Sequence, residues 1–350
     1  MENVAFEKGS PKVLKAWAFY DWANSVYSLV ISSAVFPIFY GALFRLSEVE
    51  EVEVFGTMIA RGPLISYLSS AAFVLIALAT PFISGVADYL GNKKVFLKFF
   101  CYLGALSCIG LYWFSLDHIY LSLLFYFFGL VGSWLSIAIY NSYLPDIAFK
   151  DQQDRVSARG FSLGYIGSVL LLLVNLAMVM RPGLFGIVEV GDHPAEVMAM
   201  RYSFITVGLW WIVFSQYTFK HMPKGYKKEG ERKQLLLGGF NELKKVRTEI
   251  ATQLFLRKYL WAFFVYSMAV QTILLIAAYF GEQEIDWGSD NQRTMGLILS
   301  ILLIQLVAML GSILTGRLAE RLNNISMLIV INAIWMLLCV YAYFVKTPMD

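Results

Sequence analysis

Charge is scarce in this chain: Asp, Glu, Lys and Arg make up 15% of its 350 residues, whereas soluble globular proteins use about a quarter. So few charges cannot cover a water-facing surface, and a soluble globular protein is excluded. Histidine and cysteine are as sparse, three of each. His118, His193 and His221 lie far apart between apolar runs, and the chain contains no HExxH, GxSxG or glycine-rich phosphate loop. No catalytic constellation, metal centre, cofactor or ATP-driving site is therefore expected, and the protein does not read as an enzyme. Cys101, Cys108 and Cys339 fall inside apolar runs, where they read as small packing residues rather than disulfide partners. The net charge of +3 is too small to suggest nucleic acid. The first apolar run is too long, and lacks the small-residue cleavage site, for a secretory signal peptide.

What is present is apolar surface. Hydrophobic residues make up 58% of the chain and gather into runs of about 20, the length that crosses a hydrocarbon core about 30 Å thick. Nine spans are predicted, at 17–44, 64–87, 95–116, 119–143, 160–180, 202–220, 259–281, 294–316 and 325–345. Because these runs are continuously apolar rather than alternating, they read as helices and not as barrel strands. Lys and Arg divide unevenly between the ends of these spans, 22 on the side that holds the N-terminus and six on the other. The positive-inside rule then places the N-terminus in the cytoplasm. The opposite connections are acidic, with Glu48, Glu50, Glu51 and Glu53 in one and Glu282, Glu284, Asp286 and Asp290 in another.

One long polar stretch, 221–258, follows the sixth span and carries ten of the 28 basic residues. It reads as a linker between two bundles, with a surface helix over 235–257 suited to anionic headgroups. The expected organisation is a six-helix bundle over 1–220, the linker 221–258, and three further helices over 259–350.

Between the second and third spans the chain reads Ser84-Gly85-Val86-Ala87-Asp88-Tyr89-Leu90-Gly91-Asn92-Lys93-Lys94. This resembles the signature of the major facilitator superfamily, in which a carboxylate, a tight-turn glycine and paired basic residues gate the cytoplasmic side. Asp88, Gly91, Lys93 and Lys94 match; Ser84 and Tyr89 depart from the pattern. A second copy, Gly316-Arg317-Leu318-Ala319-Glu320-Arg321-Leu322-Asn323-Asn324, follows the eighth span, as expected of a transporter built from two similar halves. Plain charged turns that obey the positive-inside rule are the alternative. Tyr20-Asp21-Trp22-Ala23-Asn24-Ser25-Val26-Tyr27, Tyr140-Asn141-Ser142-Tyr143-Leu144-Pro145-Asp146 and the run Asp154 to Gly167 are similar to the branch that includes the yeast vacuolar amino-acid effluxer and its bacterial relatives.

Asp21 lies in the cytoplasmic third of the first span, where a carboxylate is costly and marks a functional position by default. With Asn24, Ser25, Tyr20 and Tyr27 on nearby turns it could bind an ammonium or carry a proton. The equal alternative is a structural acid near a helix N-terminus. Asn175, Gln271 and Gln305 are uncharged polar residues within spans, either lining a cavity or bonding helix to helix. Asp146, Arg155 and Arg159 are expected to form an ion-pair network with Asp88, with Gly316, Glu320 and Arg321 as the counterpart in the second half.

The resemblance implies an all-α major facilitator fold of two pseudo-symmetric bundles, acting as a monomeric secondary transporter by alternating access. The solute is expected to be an amino acid or similar small polar metabolite, with a proton or cation as coupling partner and lipid as the surroundings. A sugar or other metabolite carrier is the nearest rival. Twelve spans are expected of the superfamily and nine are read here, so the sequence is expected to be a piece of a longer chain; a chain that truly stops at Asp350 would favour a membrane scaffold without transport. A bacterial inner membrane is the expected location, with a vacuolar membrane as the alternative.

Overall fold

The computed structural model describes residues 7–223, 244, 247–283, 285–286, 290–319 and 324–347. The first apolar run forms one continuous helical rod of 36 residues, Pro11–Leu46. It comprises α1 (Pro11–Val26), a π-helical stretch (Tyr27–Val35) and α2 (Phe36–Leu46). Pro11 opens α1 where no amide donor is needed, and Pro37 sits in the first turn of α2. The wide turns of the π stretch are marked by Phe36 N–H bonding Ile31 O and by Ser33 Oγ donating to Ser28 O at 3.0 Å, each five residues back.

The chain then turns through a two-stranded antiparallel hairpin, β1 (Glu51–Val54) and β2 (Thr57–Ala60). It continues through α3 (Arg61–Leu90), α4 (Lys93–Gly110), α5 (Ile119–Ile147), α6 (Lys150–Met180) and α7 (Ala195–His221). After these come α8 (Leu254–Gln283), α9 (Asp290–Ala319) and α10 (Asn324–Ala342). Seven helices among the described residues are long and apolar enough to cross a membrane. The other two expected spans, 259–281 and 294–316, fall within α8 and α9.

The helices run further into polar sequence than hydropathy indicates. Residues 150–159, expected in a connection, are the first ten of α6, and Pro145 and Asp146 belong to the last turn of α5. Only Ala148 and Phe149 join the two helices. The Gln152 side chain accepts the Phe149 N–H at 3.2 Å, which starts α6 at once and leaves its charged first turns outside lipid. The hairpin was likewise not foreseen, since apolar run length says nothing about connections.

The chain divides into two compact units, Met1–Gly239 with Ala308–Gly316, and Phe240–Val307 with Arg317–Asp350. In the first, α1 packs on α6 and α7, α4 on α5 and α7, and α3 on α5. Its interior is aromatic: Trp17, Tyr20, Tyr27, Phe39, Tyr143, Phe204 and Trp211 are fully buried. Outward-facing positions are apolar too. On α4, Val95, Phe99 and Leu106 are all exposed and fall on one stripe, an apolar face on this scale being suited to lipid. In the second unit α10 presents Ile329, Met336, Leu337 and Val340 outward, and Asp286 N–H bonds Lys346 O at 3.0 Å.

Candidate functional site

Asp21 faces the interior of the first unit from the middle of α1 and is 8% exposed. Its Oδ2 accepts a hydrogen bond from the Tyr140 hydroxyl at 2.9 Å, and no Lys, Arg or His pairs with it among the described residues. Tyr140 is fixed twice by Trp17. The rings stack with centroids 4.2 Å apart and 12° between planes, and Trp17 Nε1 donates to the Tyr140 carbonyl at 2.9 Å. Tyr20 also meets this ring, with centroids 5.1 Å apart. A lone carboxyl group is thus held in an aromatic setting by one neutral donor.

The fourth side of the site is α6, which presents glycine. A methyl group at Gly160 would collide with Asp21 Oδ2 and stand 3.1 Å from the Tyr140 hydroxyl; one at Gly164 would collide with Ser25 Oγ and stand 3.3 Å from Asp21 Cβ. One turn on, a methyl at Gly167 would stand 2.9 Å from the Trp22 carbonyl. Small residues on one helix face permit such close approach where lipid provides no hydrophobic drive to association. These three glycines and Tyr140 were visible in the sequence but given no role there, because spacing along one helix does not reveal which residue opposes it.

Several donors around this core lack partners among the described residues. Asn24 Nδ2, Tyr27 Oη, Trp22 Nε1 and Trp211 Nε1 are buried without a hydrogen bond, and the Tyr20 hydroxyl lies near Ser136, Trp211 and Cys101 without one of ordinary geometry. Ser25 Oγ approaches Asn24 Oδ1 only at 3.5 Å. Asp21, Tyr20, Asn24 and Tyr27 are therefore brought together on the buried side of one helix. Asn175 stands apart: fully buried, it accepts from Thr206 Oγ1 at 2.8 Å across α6 and α7. Gln271 and Gln305 belong to the second unit, Gln271 exposed and Gln305 half-buried.

At the basic end, the motif turns on Gly91, whose φ of +58° favours glycine. Lys93 Nζ reaches Asp146 Oδ2 at 2.7 Å and the Ser142 carbonyl at 3.0 Å, and lies 5.8 Å from the centre of the Tyr143 ring. Lys94 Nζ donates to Met222 O at 2.9 Å, and Tyr143 Oη to Pro223 O at 3.2 Å, so the turn also holds the end of α7. Asp146 thus pairs with Lys93 and not with Arg155 or Arg159, for which no ion pair is found among the described residues. The two arginines fall on the first turns of α6, which begins beyond Asp146. The side chain of Asp88, and Glu320 and Arg321, lie outside the described residues; Gly316 is buried near the end of α9.

A buried cation lies at the opposite end of the bundle. Arg201, 6% exposed, donates from Nη1 to the Tyr112 carbonyl. Its Nη2 stands 3.4 Å from His193 Nε2, and its guanidinium 5.2 Å over the Phe39 ring. No carboxylate pairs with it among the described residues. His193 precedes α7, and burial, followed by the Arg201 charge, lowers its pKa from the ordinary value while Asp192 opposes the shift. In the sequence Arg201 counts only as one of the few cations at that end, and nothing local signals that it is buried.

Lipid-length helices, a glycine turn with paired lysines and a buried acid in the first span define a multi-pass membrane protein of the major facilitator transporter type. The family model for vacuole effluxer Atg22-like proteins matches residues 9–347, and the chain belongs to that family. It is similar to an uncharacterized MFS-type transporter, YxiO, of Bacillus subtilis (strain 168). The two are 32% identical over 338 residues, which cover 96% of this chain and 74% of the relative.

Proposed function

We propose that this transporter moves a small polar solute, an amino acid, by alternating access, and that Asp21 carries the charge that is neutralised on the way across. The observation behind this reading is the buried Asp21 carboxylate, held by Tyr140 Oη at 2.9 Å and without a cationic partner among the described residues. An acid buried within a membrane span is costly unless something neutralises it. A structural acid would recover that cost from a fixed cation. Asp21 instead recovers it from a proton or from the solute's ammonium, which is the behaviour of a coupling site. The amino acid as solute rests on the resemblance of residues 20–27 and 140–146 to the amino-acid effluxer branch, together with the aromatic and amide groups at Tyr20, Asn24 and Tyr27. The basic end of the spans is assigned to the cytoplasm by the Lys and Arg bias, the membrane to a bacterial inner membrane, and residues 1–220 to the first of two bundles.

The test is counterflow of labelled amino acids into proteoliposomes, with Asp21→Asn and Tyr140→Phe beside the parent protein. Asp21→Asn is expected to abolish saturable uptake while the protein unfolds at the same or a higher temperature, because a buried charge is removed and the amide still accepts from Tyr140. A loss of stability in parallel with uptake would make Asp21 a structural acid. Uptake of sugars in place of amino acids would overturn the solute and leave the site.

A further inference from the structure

The hairpin between the first two spans carries a residue that its own turn disfavours. Its strands alternate: Val52 and Val54 share one face with their partners Ile59 and Thr57, and Glu51 and Glu53 share the other with Ala60 and Met58. Val54 is buried, Val52 and Ile59 are half-buried, and the two glutamates are exposed. The turn is Phe55-Gly56, with φ of +52° and +76°, the left-handed pair that suits the twist of a two-residue hairpin. Asn or Asp is the ordinary first residue of such a turn, and a bulky side chain there is an outlier. Here the ring is also 88% exposed.

The position of Phe55 is fixed by α5. Its N–H donates to the Tyr120 hydroxyl at 3.0 Å, and the two rings lie 5.5 Å apart. Tyr120 is the second residue of a helix of 29. The apolar run of α5 begins at residue 119 and gives way to polar sequence at Pro145 and Asp146, so Tyr120 sits at the very end of the lipid-crossing stretch. Tyr120 stands at headgroup depth, where tyrosine and tryptophan concentrate, and Leu121 and Leu124, exposed on the same helix, continue toward the hydrocarbon.

We propose that the hairpin lies on the bilayer surface with the Phe55 ring inserted among the lipid headgroups, so that the membrane interface is its partner. An exposed ring at that depth removes its apolar surface from water, which offsets the unfavourable backbone. Glu48, Glu50, Glu51 and Glu53, all exposed, remain in water and repel anionic headgroups, so the surface it fits is zwitterionic. The inference does not depend on the solute or on Asp21.

The experiment places a bimane fluorophore on Phe55→Cys or Glu53→Cys in full-length Cys339→Ser protein, in phosphatidylcholine nanodiscs. Residue 55 is expected to be quenched by shallow lipid-borne nitroxide and shielded from iodide, and residue 53 to show the reverse. Equal quenching of both by iodide would overturn the proposal, and shielding of residue 55 from both quenchers would replace the lipid by a protein partner. Phe55→Asn supplies an independent check, since asparagine suits the turn better than phenylalanine. With the ring as anchor, amide exchange over 52–59 accelerates severalfold in that variant; unchanged or slower exchange would show that the turn alone holds the hairpin.

Discussion

At the residue scale, glycine decides how closely α6 can approach the acid on α1. A methyl at Gly164 would meet Ser25 and Asp21, both on a buried helix, so the helices must part. Gly164→Ala is expected to lose about 1–3 kcal/mol of stability by overpacking, read as a lower unfolding temperature in detergent. Gly183→Ala, with nothing within 4 Å, is the matched control and is expected to be neutral. Gly160→Ala presses on the Asp21 and Tyr140 oxygens themselves, so its uptake is expected to fall more than its stability. Asp21 was legible in the sequence because a carboxylate inside an apolar run stands out. Tyr140 and the glycines were not, because aromatic and small residues are common in such runs and only packing assigns them a neighbour.

At the element scale, hydropathy located the helices and missed where they stop. The charged start of α6 reads as a loop by composition, yet the Gln152 bond to the Phe149 amide and a two-residue connection make it helix. The end of the bundle that holds Arg201 was still less legible, since Arg201 ties Tyr112 after α4, Phe39 of α2 and His193 before α7 across long stretches of sequence. This junction gives a pH prediction. The pKa of His193 is lowered in the folded protein, so the unfolded chain binds more protons below its own ordinary value of about 6.5. The stabilising contribution is complete above that value and is lost as pH falls through the lowered one. Protonation would also turn an N–H toward the Arg201 guanidinium. The unfolding temperature of the parent protein is expected to drop between about pH 7 and 5, and that of His193→Gln to drop less; equal slopes would remove His193 from the account.

At the scale of the whole molecule, what faces outward is as apolar as what is buried, so association of the spans rests on fit and on polar ties more than on a hydrophobic gradient. The Lys93 and Asp146 pair is one such tie, joining the turn after α3 to the end of α5. With Asp146 nearly half exposed, the pair contributes at most about 1 kcal/mol. Asp146→Asn is therefore expected to leave the unfolding temperature nearly unchanged. If the turn gates the basic end, the same variant changes the rate of counterflow; an unchanged rate would reduce the pair to a structural staple. The all-α plan was readable throughout because span length is a property of composition, whereas the partner of Asp146 was misassigned because a one-dimensional pattern does not say which of several nearby cations a carboxylate will meet.

The π-helical stretch in the first span has a consequence for the history of the chain. A wide turn of this kind is what a helix becomes when it gains a residue while its two ends keep their orientation. Between Tyr27 and Val35, then, the first span can change in length by one residue while Asp21 below and Phe39 above keep the faces they present. A single-residue gain or loss, which in any other part of a packed helix rotates everything beyond it by about 100°, is at this place a tolerated step.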